Sequence, residues 1–207
     1  MVAAEKLPSS PAPVPVQDAD GQRFIMFNVT WEQYAALRKM FDERPGFRLT
    51  FLEGTLELMS PSRAHEGYKK IIARLLEIYG LVSGVRLHGF GSTTYQNEQM
   101  ERALEPDECY CVGDVKDTPD IALEVALSSG GISKLEVYRG LGVPEVWIWK
   151  SQRLHLFELV EGQYQPLAQS KVLPDLDLDE LSTFALMDDQ AEAARAYFER
   201  LQQRARR

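Results

Sequence analysis

Two carboxylates in the stretch from Glu105 to Trp149, EPDECYCVGDVKDTPDIALEVALSSGGISKLEVYRGLGVPEVWIW, are spaced so that they could hold a cation between them. ECYCV and DIALEVAL read as short strands, and the polar segment around Gly113 and Asp114 reads as the loop of a hairpin. If that hairpin turns about the midpoint between Val115 and Lys116, Asp107 falls opposite Glu124. Directly opposed residues of an antiparallel pair share a face, with Cβ atoms ~4.5–5.5 Å apart, and like charges so placed are destabilising without a partner. A hard divalent cation is the simplest partner. Mg²⁺ (or Mn²⁺) suits the arrangement, because Mg²⁺ takes one or two carboxylates and leaves its other positions to water and phosphate. The alternative is that both carboxylates are solvated on an open sheet face, since a slip of a single residue would send one of them to the other side.

A cation, an inward histidine and a third carboxylate are candidates to join them. After Ser128-Ser129-Gly130-Gly131, Ser133 can cap a helix on which Lys134, Tyr138 and Leu141 lie near one face, so Lys134 could point back over the strand ends that carry Glu124. Gly142 and Pro144 then end that helix before the buried strand EVWIW. Upstream, Pro61 and Ser62 open a helix to about Val82 with Tyr68, Ile71, Ile72, Leu75, Leu76 and Tyr79 in one stripe. At ~100° per residue, His65 lies about 50° from the centre of that stripe and Glu66 lies on the far side, which favours His65 as the inward residue. A lone inward histidine is more often a hydrogen-bonded core residue than a catalyst. Asp120 pairs opposite Cys111 about the same midpoint and reads as a strand-start residue. Cys109 and Cys111 share the face of Asp107; with no further ligands in the pattern they read as small buried hydrophobes rather than as a disulfide or zinc site.

Pro106-Asp107, Glu124 on the next strand and Lys134 on a helix resemble a variant of the PD-(D/E)xK nuclease core, whose common order is helix, three strands, helix, strand. The segments LEGTLELMSPSRAHE, GSTT, LEPDECY, PDIALEV and SKLEVYRGLGVPEVW, with Tyr164 and Ser170, are similar in that order to the Uma-two family of restriction-endonuclease-like proteins. The similarity covers roughly residues 47 to 174. It implies Mg²⁺-dependent cleavage of DNA, with Asp107 and Glu124 as metal ligands, Lys134 in the catalytic lysine role, and a first-helix glutamate that would be Glu66. The chain departs from the nuclease pattern at Ala126, where the motif lysine is expected, and Lys134 is the nearest replacement.

Composition bounds the rest. At 207 residues, 44% hydrophobic and 26% charged, the chain reads as one globular domain with tails. No apolar run approaches a membrane span, and the N-terminus lacks a basic region followed by an apolar core, so a cytoplasmic location is expected. A net charge of −8 argues against a general nucleic-acid coat. Lys69, Lys70 and Arg74 on one helix, and Arg200, Arg204, Arg206 and Arg207 at the end, are local basic clusters that read as solvated faces or as nucleic-acid contacts.

The elements that position these groups follow. Residues 1–22 read as a flexible Pro-rich tail, 23–185 as the nuclease-like domain and 186–207 as a C-terminal helix. Thr30 with Gln33 forms a capping box before the short helix WEQYAALRKMF. FRLTFLEGTLELMS alternates about Glu53-Gly54 as a hairpin, with Leu56 and Leu58 inward and Glu57 outside. VRLHGFGSTTY reads as a strand completing three, and RLHLFEL with GQYQPLA as a further hairpin. The expected fold is α/β: a restriction-endonuclease-like core, its central mixed sheet flanked by helices and extended by N- and C-terminal hairpins. The expected function is DNA hydrolysis; the alternative is a non-catalytic nuclease-like domain that binds nucleic acid or a protein partner, and a non-nucleic phosphoester would use the same carboxylates. Trp147, Ile148, Trp149, Leu154, Leu156 and Phe157 exceed what a small sheet obviously covers, which with the two strands of a duplex suggests a homodimer.

Overall fold

Alternating and continuous apolar runs separate the strands among the described residues into two six-stranded sheets. The computed structural model describes residues 14–17, 19–41, 46–91 and 93–206. In chain order the elements begin with β1 (Val14–Gln17), β2 (Gly21–Met26), α1 (Trp31–Phe41), β3 (Arg48–Leu52), β4 (Thr55–Pro61) and α2 (Arg63–Ser83). Then come β5 (Leu87–Gly89), β6 (Tyr95–Asn97), β7 (Arg102–Leu104), β8 (Glu108–Val112), β9 (Ile121–Val125) and α3 (Lys134–Leu141). The chain closes with β10 (Glu145–Lys150), β11 (Arg153–Val160), β12 (Gln163–Leu167), α4 (Leu178–Ala185) and α5 (Gln190–Ala205).

The second sheet, in the order β12-β11-β10-β9-β8-β5, is the mixed central sheet of a restriction-endonuclease-like α/β core. It is mixed because β9 and β10 run parallel across the α3 connection, whereas every other neighbouring pair in it is antiparallel. The C-terminal hairpin β11–β12 extends it, as the sequence suggests. The N-terminal hairpin does not. Strands β3 and β4 join β1, β2, β6 and β7 in a sheet of their own, ordered β1-β2-β4-β3-β7-β6. Three-residue strands such as β6 and β7 are too short to show a period, so that sheet is hidden from sequence reading. Of the expected flexible tail, residues 1–13 and 18 lie outside the described residues, while Val14–Gln17 pairs with β2. Arg207 also lies outside them.

Helix ends follow the capping residues. Ser62 accepts the His65 N–H at 3.1 Å and Gly84 closes α2 in the left-handed region at φ 75°. Ser133 and Gly142 do the same for α3. Thr30 and Gln33 exchange reciprocal bonds of 2.9 and 3.3 Å at the start of α1.

Packing divides by face. One face of the central sheet buries Ile121, Leu123, Val125, Trp147, Trp149 and Leu156 under α2, α4 and α5. Helix α3 covers the other face with Val137 and Tyr138 over Ala122 and Val146. Both cysteines are free and fully buried. Of the six apolar residues that suggested a homodimer, Trp147, Trp149 and Leu156 are at most 3% exposed under the chain's own helices, while Ile148, Leu154 and Phe157 are only partly buried. The helix α4, with Asp177 accepting from Glu180 N, supplies part of that cover.

Candidate active site

Cross-strand pairing of β8 and β9 joins Glu108 to Leu123, Cys109 to Ala122 and Tyr110 to Ile121, so one further step sets Asp107 opposite Glu124, the register expected from the hairpin midpoint. Asp107 lies just before β8 and is 2% exposed; Glu124 is 6% exposed. The side chains are held differently. Asp107 Oδ2 accepts the Val125 N–H at 2.7 Å and lies 3.2 Å from His65 Nε2, while Oδ1 accepts from the Arg48 guanidinium. Glu124 Oε1 accepts from the Tyr138 hydroxyl. Burial by itself would raise the Asp107 carboxyl, but His65, Arg48 and the Val125 N–H outweigh it and hold it below its ordinary value. Glu124 has weaker compensation. Burial first, and the neighbouring Asp107 charge, push it up to about 7 against the opposing charge of Lys134.

The helix wheel is right about α2. His65 is 2% exposed and turned to Asp107, whose hydrogen bond and charge raise the imidazole above its ordinary value against the opposing effect of burial. Glu66 stays on the rim with 39% of its side chain exposed, bound to Arg48 at 3.1 Å and Lys69 at 3.3 Å. Asp120 accepts from Val112 N at 2.8 Å and from Lys116 Nζ at 2.6 Å, which closes the β8–β9 loop away from Glu124. Tyr164 and Ser170 serve the scaffold: they bond Val143 O at 2.6 Å and Glu145 Oε2 at 2.7 Å. Arg200 and Arg204 pair with Glu180 of α4.

Lys134 comes to the site by a route the sequence does not show. Its Nζ donates to Thr50 Oγ1 at 2.5 Å and lies 3.9 Å from Glu57 Oε1, so its direct partners belong to the other sheet rather than to Asp107 or Glu124. Thr50 and Glu57 are opposed on β3 and β4, and the register places Arg48 and Met59 on the same face. That face looks onto the central sheet. Leu49, Phe51 and Leu56 fill the opposite face under α1, with Leu58 packed against them. Glu57 is therefore 2% exposed and not outside, because both faces of β4 are covered. Arg48, Thr50, Glu57, Asp20 and Arg23 were not legible as site residues. The alternation could have put Arg48, Thr50 and Glu57 on one face, but not told that this face meets a cavity.

The cavity between the sheets measures about 280 Å³ and is lined by Asp107, Glu124, His65, Arg48, Lys134 and Glu57, among others, with Ala126 in its wall. Among the described residues no three His, Cys, Asp or Glu side chains gather to hold an ion. An all-protein cage is thus absent from them, whereas two carboxylates beside a cavity with room for water and phosphate match the donor set that Mg²⁺ accepts.

The model of the Uma2 family, described as “Putative restriction endonuclease”, matches residues 31–187, well over half of the 207-residue chain. No curated protein matches the chain. The matched span runs from α1 to just beyond α4 and takes in the site residues above except Asp20 and Arg23.

Proposed function

The chain belongs to the Uma2 family, and from that premise we propose that it hydrolyses DNA phosphodiester bonds with Mg²⁺ or Mn²⁺ held by Asp107 and Glu124. The observation that carries this reading is the opposed pair of buried carboxylates facing a cavity that also admits Lys134 and Arg48. When bound, the ion would supply Lewis-acid polarisation of the phosphate and a water of lowered pKa. The chain's own groups do the positioning. Tyr138 fixes one Glu124 oxygen by donating to it, and Val125 N–H, His65 and Arg48 fix Asp107. Lys134, anchored on Thr50, orients the attacking water or offsets charge building on the phosphate, and Arg48 adds a second cation on the cavity wall. Lys134 takes the role that the residue at Ala126 has in the common motif.

The test is cleavage of supercoiled plasmid with Mg²⁺ or Mn²⁺ by wild type, Asp107→Asn and Glu124→Gln. Cleavage should need the ion and drop by about three orders of magnitude or more in either variant, because each removes a ligand and not the fold. Unchanged cleavage by both variants would sink the proposal. A second reading, a nuclease-like domain that binds without cutting, draws on the Arg48–Asp107 ion pair, which satisfies Asp107 with no ion at all. Calorimetric titration separates the two: a cutting site binds Mn²⁺ in wild type and loses it in Asp107→Asn, and a binding-only domain shows no such heat.

A further inference from the structure

The loop that joins the strand of Glu124 to the helix of Lys134 is held by groups from the other sheet, two of them outside the Uma2 match. Asp20, 2% exposed, precedes β2. Its Oδ1 accepts the Leu127 N–H at 2.7 Å, and its Oδ2 accepts Ser128 N–H at 3.0 Å and Ser128 Oγ–H at 2.5 Å. At the far end of the loop, Glu57 Oε2 accepts the Ile132 N–H at 3.0 Å. Arg23 lies between the two acids, 3.4 Å from each. Gly131, at φ 83°, passes directly over this group: a Cβ there would fall 2.2 Å from Glu57 Oε2 and 3.2 Å from the Arg23 guanidinium.

These contacts do more than fill space. Carboxylates bonded to backbone N–H groups in a buried setting fix the backbone itself, since releasing it would strand both donors and charges. Only after Ile132 does the chain reach Ser133, the cap of α3, and Lys134 in its first turn. Asp20 bonds the loop backbone at Leu127 and Ser128, and through that backbone it can set the place of Lys134. We infer that Asp20 and Glu57, bridged by Arg23, latch the loop over residues 126–133 and thereby position Lys134 over the site. Asp20 is a positioning residue supplied by the N-terminal strands. Its consequence for cleavage rests on the nuclease reading, and the latch itself does not.

The experiment compares full-length wild type with Asp20→Ala and Gly131→Ala, which break the latch from its two sides. Amide hydrogen exchange, the resonance of the Lys134 ammonium and single-turnover cleavage are read together. Exchange at Leu127, Ser128 and Ile132 should quicken by about tenfold in both variants while the amides of β9 and β10 keep their protection. The Lys134 ammonium signal, protected by its bond to Thr50, should broaden or disappear. Cleavage should slow by about tenfold with DNA affinity unchanged. Wild-type exchange in the loop of both variants, or an undisturbed ammonium signal, would overturn the latch. If wild type does not cleave DNA, the nuclease reading fails, and exchange with the ammonium signal still decides the latch.

Discussion

Glu124 is the residue on which the chemistry and the stability of the site conflict. Its carboxyl ordinarily titrates at 4.5 but is pushed to about 7 by burial and by Asp107, so in the ion-free fold it keeps a proton that the unfolded chain has lost. The stability tied to that proton is present in full below about pH 4.5 and is lost as pH rises through about 7. It amounts to something on the order of 3 kcal/mol. His65, raised above its ordinary value of 6.5, works with the same sign, whereas Asp107, held below 3.8, loses its contribution only in acid. Denaturant unfolding under chelator should therefore show stability falling from pH 5 to pH 8 in wild type and falling less in Glu124→Gln, whose amide can still accept from Tyr138. Parallel profiles for the two proteins would show that Glu124 is ionised without penalty.

At the scale of elements, α3 carries two functions on one face. Lys134 and Tyr138 are four residues apart, and from that face one reaches Thr50 while the other donates to Glu124. Eight residues of helix thus tie the first sheet to the second across the cavity. Lys134→Ala should abolish cleavage and raise Glu124 further, because the Lys134 charge now opposes that rise. Lys134→Arg keeps the charge but not the compact ammonium that fits against Thr50, and should lose most of the activity. Carboxyl resonances followed by NMR would register the Glu124 change even in a chain that cuts nothing. Normal cleavage by Lys134→Ala would move the lysine role elsewhere in the cavity or show that the ion suffices.

For the whole molecule, the two sheets have different work. The central sheet supplies Asp107 and Glu124 and sets a large core behind them. The N-terminal sheet supplies Arg48, Thr50 and Glu57 and forms the opposite wall. Trp147, Trp149 and Leu156 are buried under the chain's own helices, which removes half of the apolar residues that could have driven pairing of copies and leaves Ile148, Leu154 and Phe157 partly exposed. Sedimentation at micromolar concentration should return a single chain, and plasmid should pass through the nicked circle before it becomes linear, since one site meets one strand. A stable pair that linearises plasmid directly would restore the homodimer. No described helix is long and apolar enough to cross a membrane.

What the sequence by itself determined is what local geometry governs. The β8–β9 register follows from distance to a turn, so Asp107 and Glu124 could be opposed on paper. The caps at Thr30, Ser62 and Ser133 follow from side chains that bond their own next turn, and the inward His65 follows from helical period. Tertiary structure decided what each charge meets. Glu57 alternates as an outward residue and is buried because a second sheet face turns toward the first. Arg48 reads as an unremarkable strand residue, yet it neutralises Asp107. Lys134 was legible as a face of α3, but its partners lie on strands more than seventy residues earlier, at Thr50 and Glu57. Asp20 stood in what composition marks as tail. A period tells which residues share a side, and only packing tells what covers that side, which is why the opposed carboxylates could be read from the chain and their electrostatic surroundings could not.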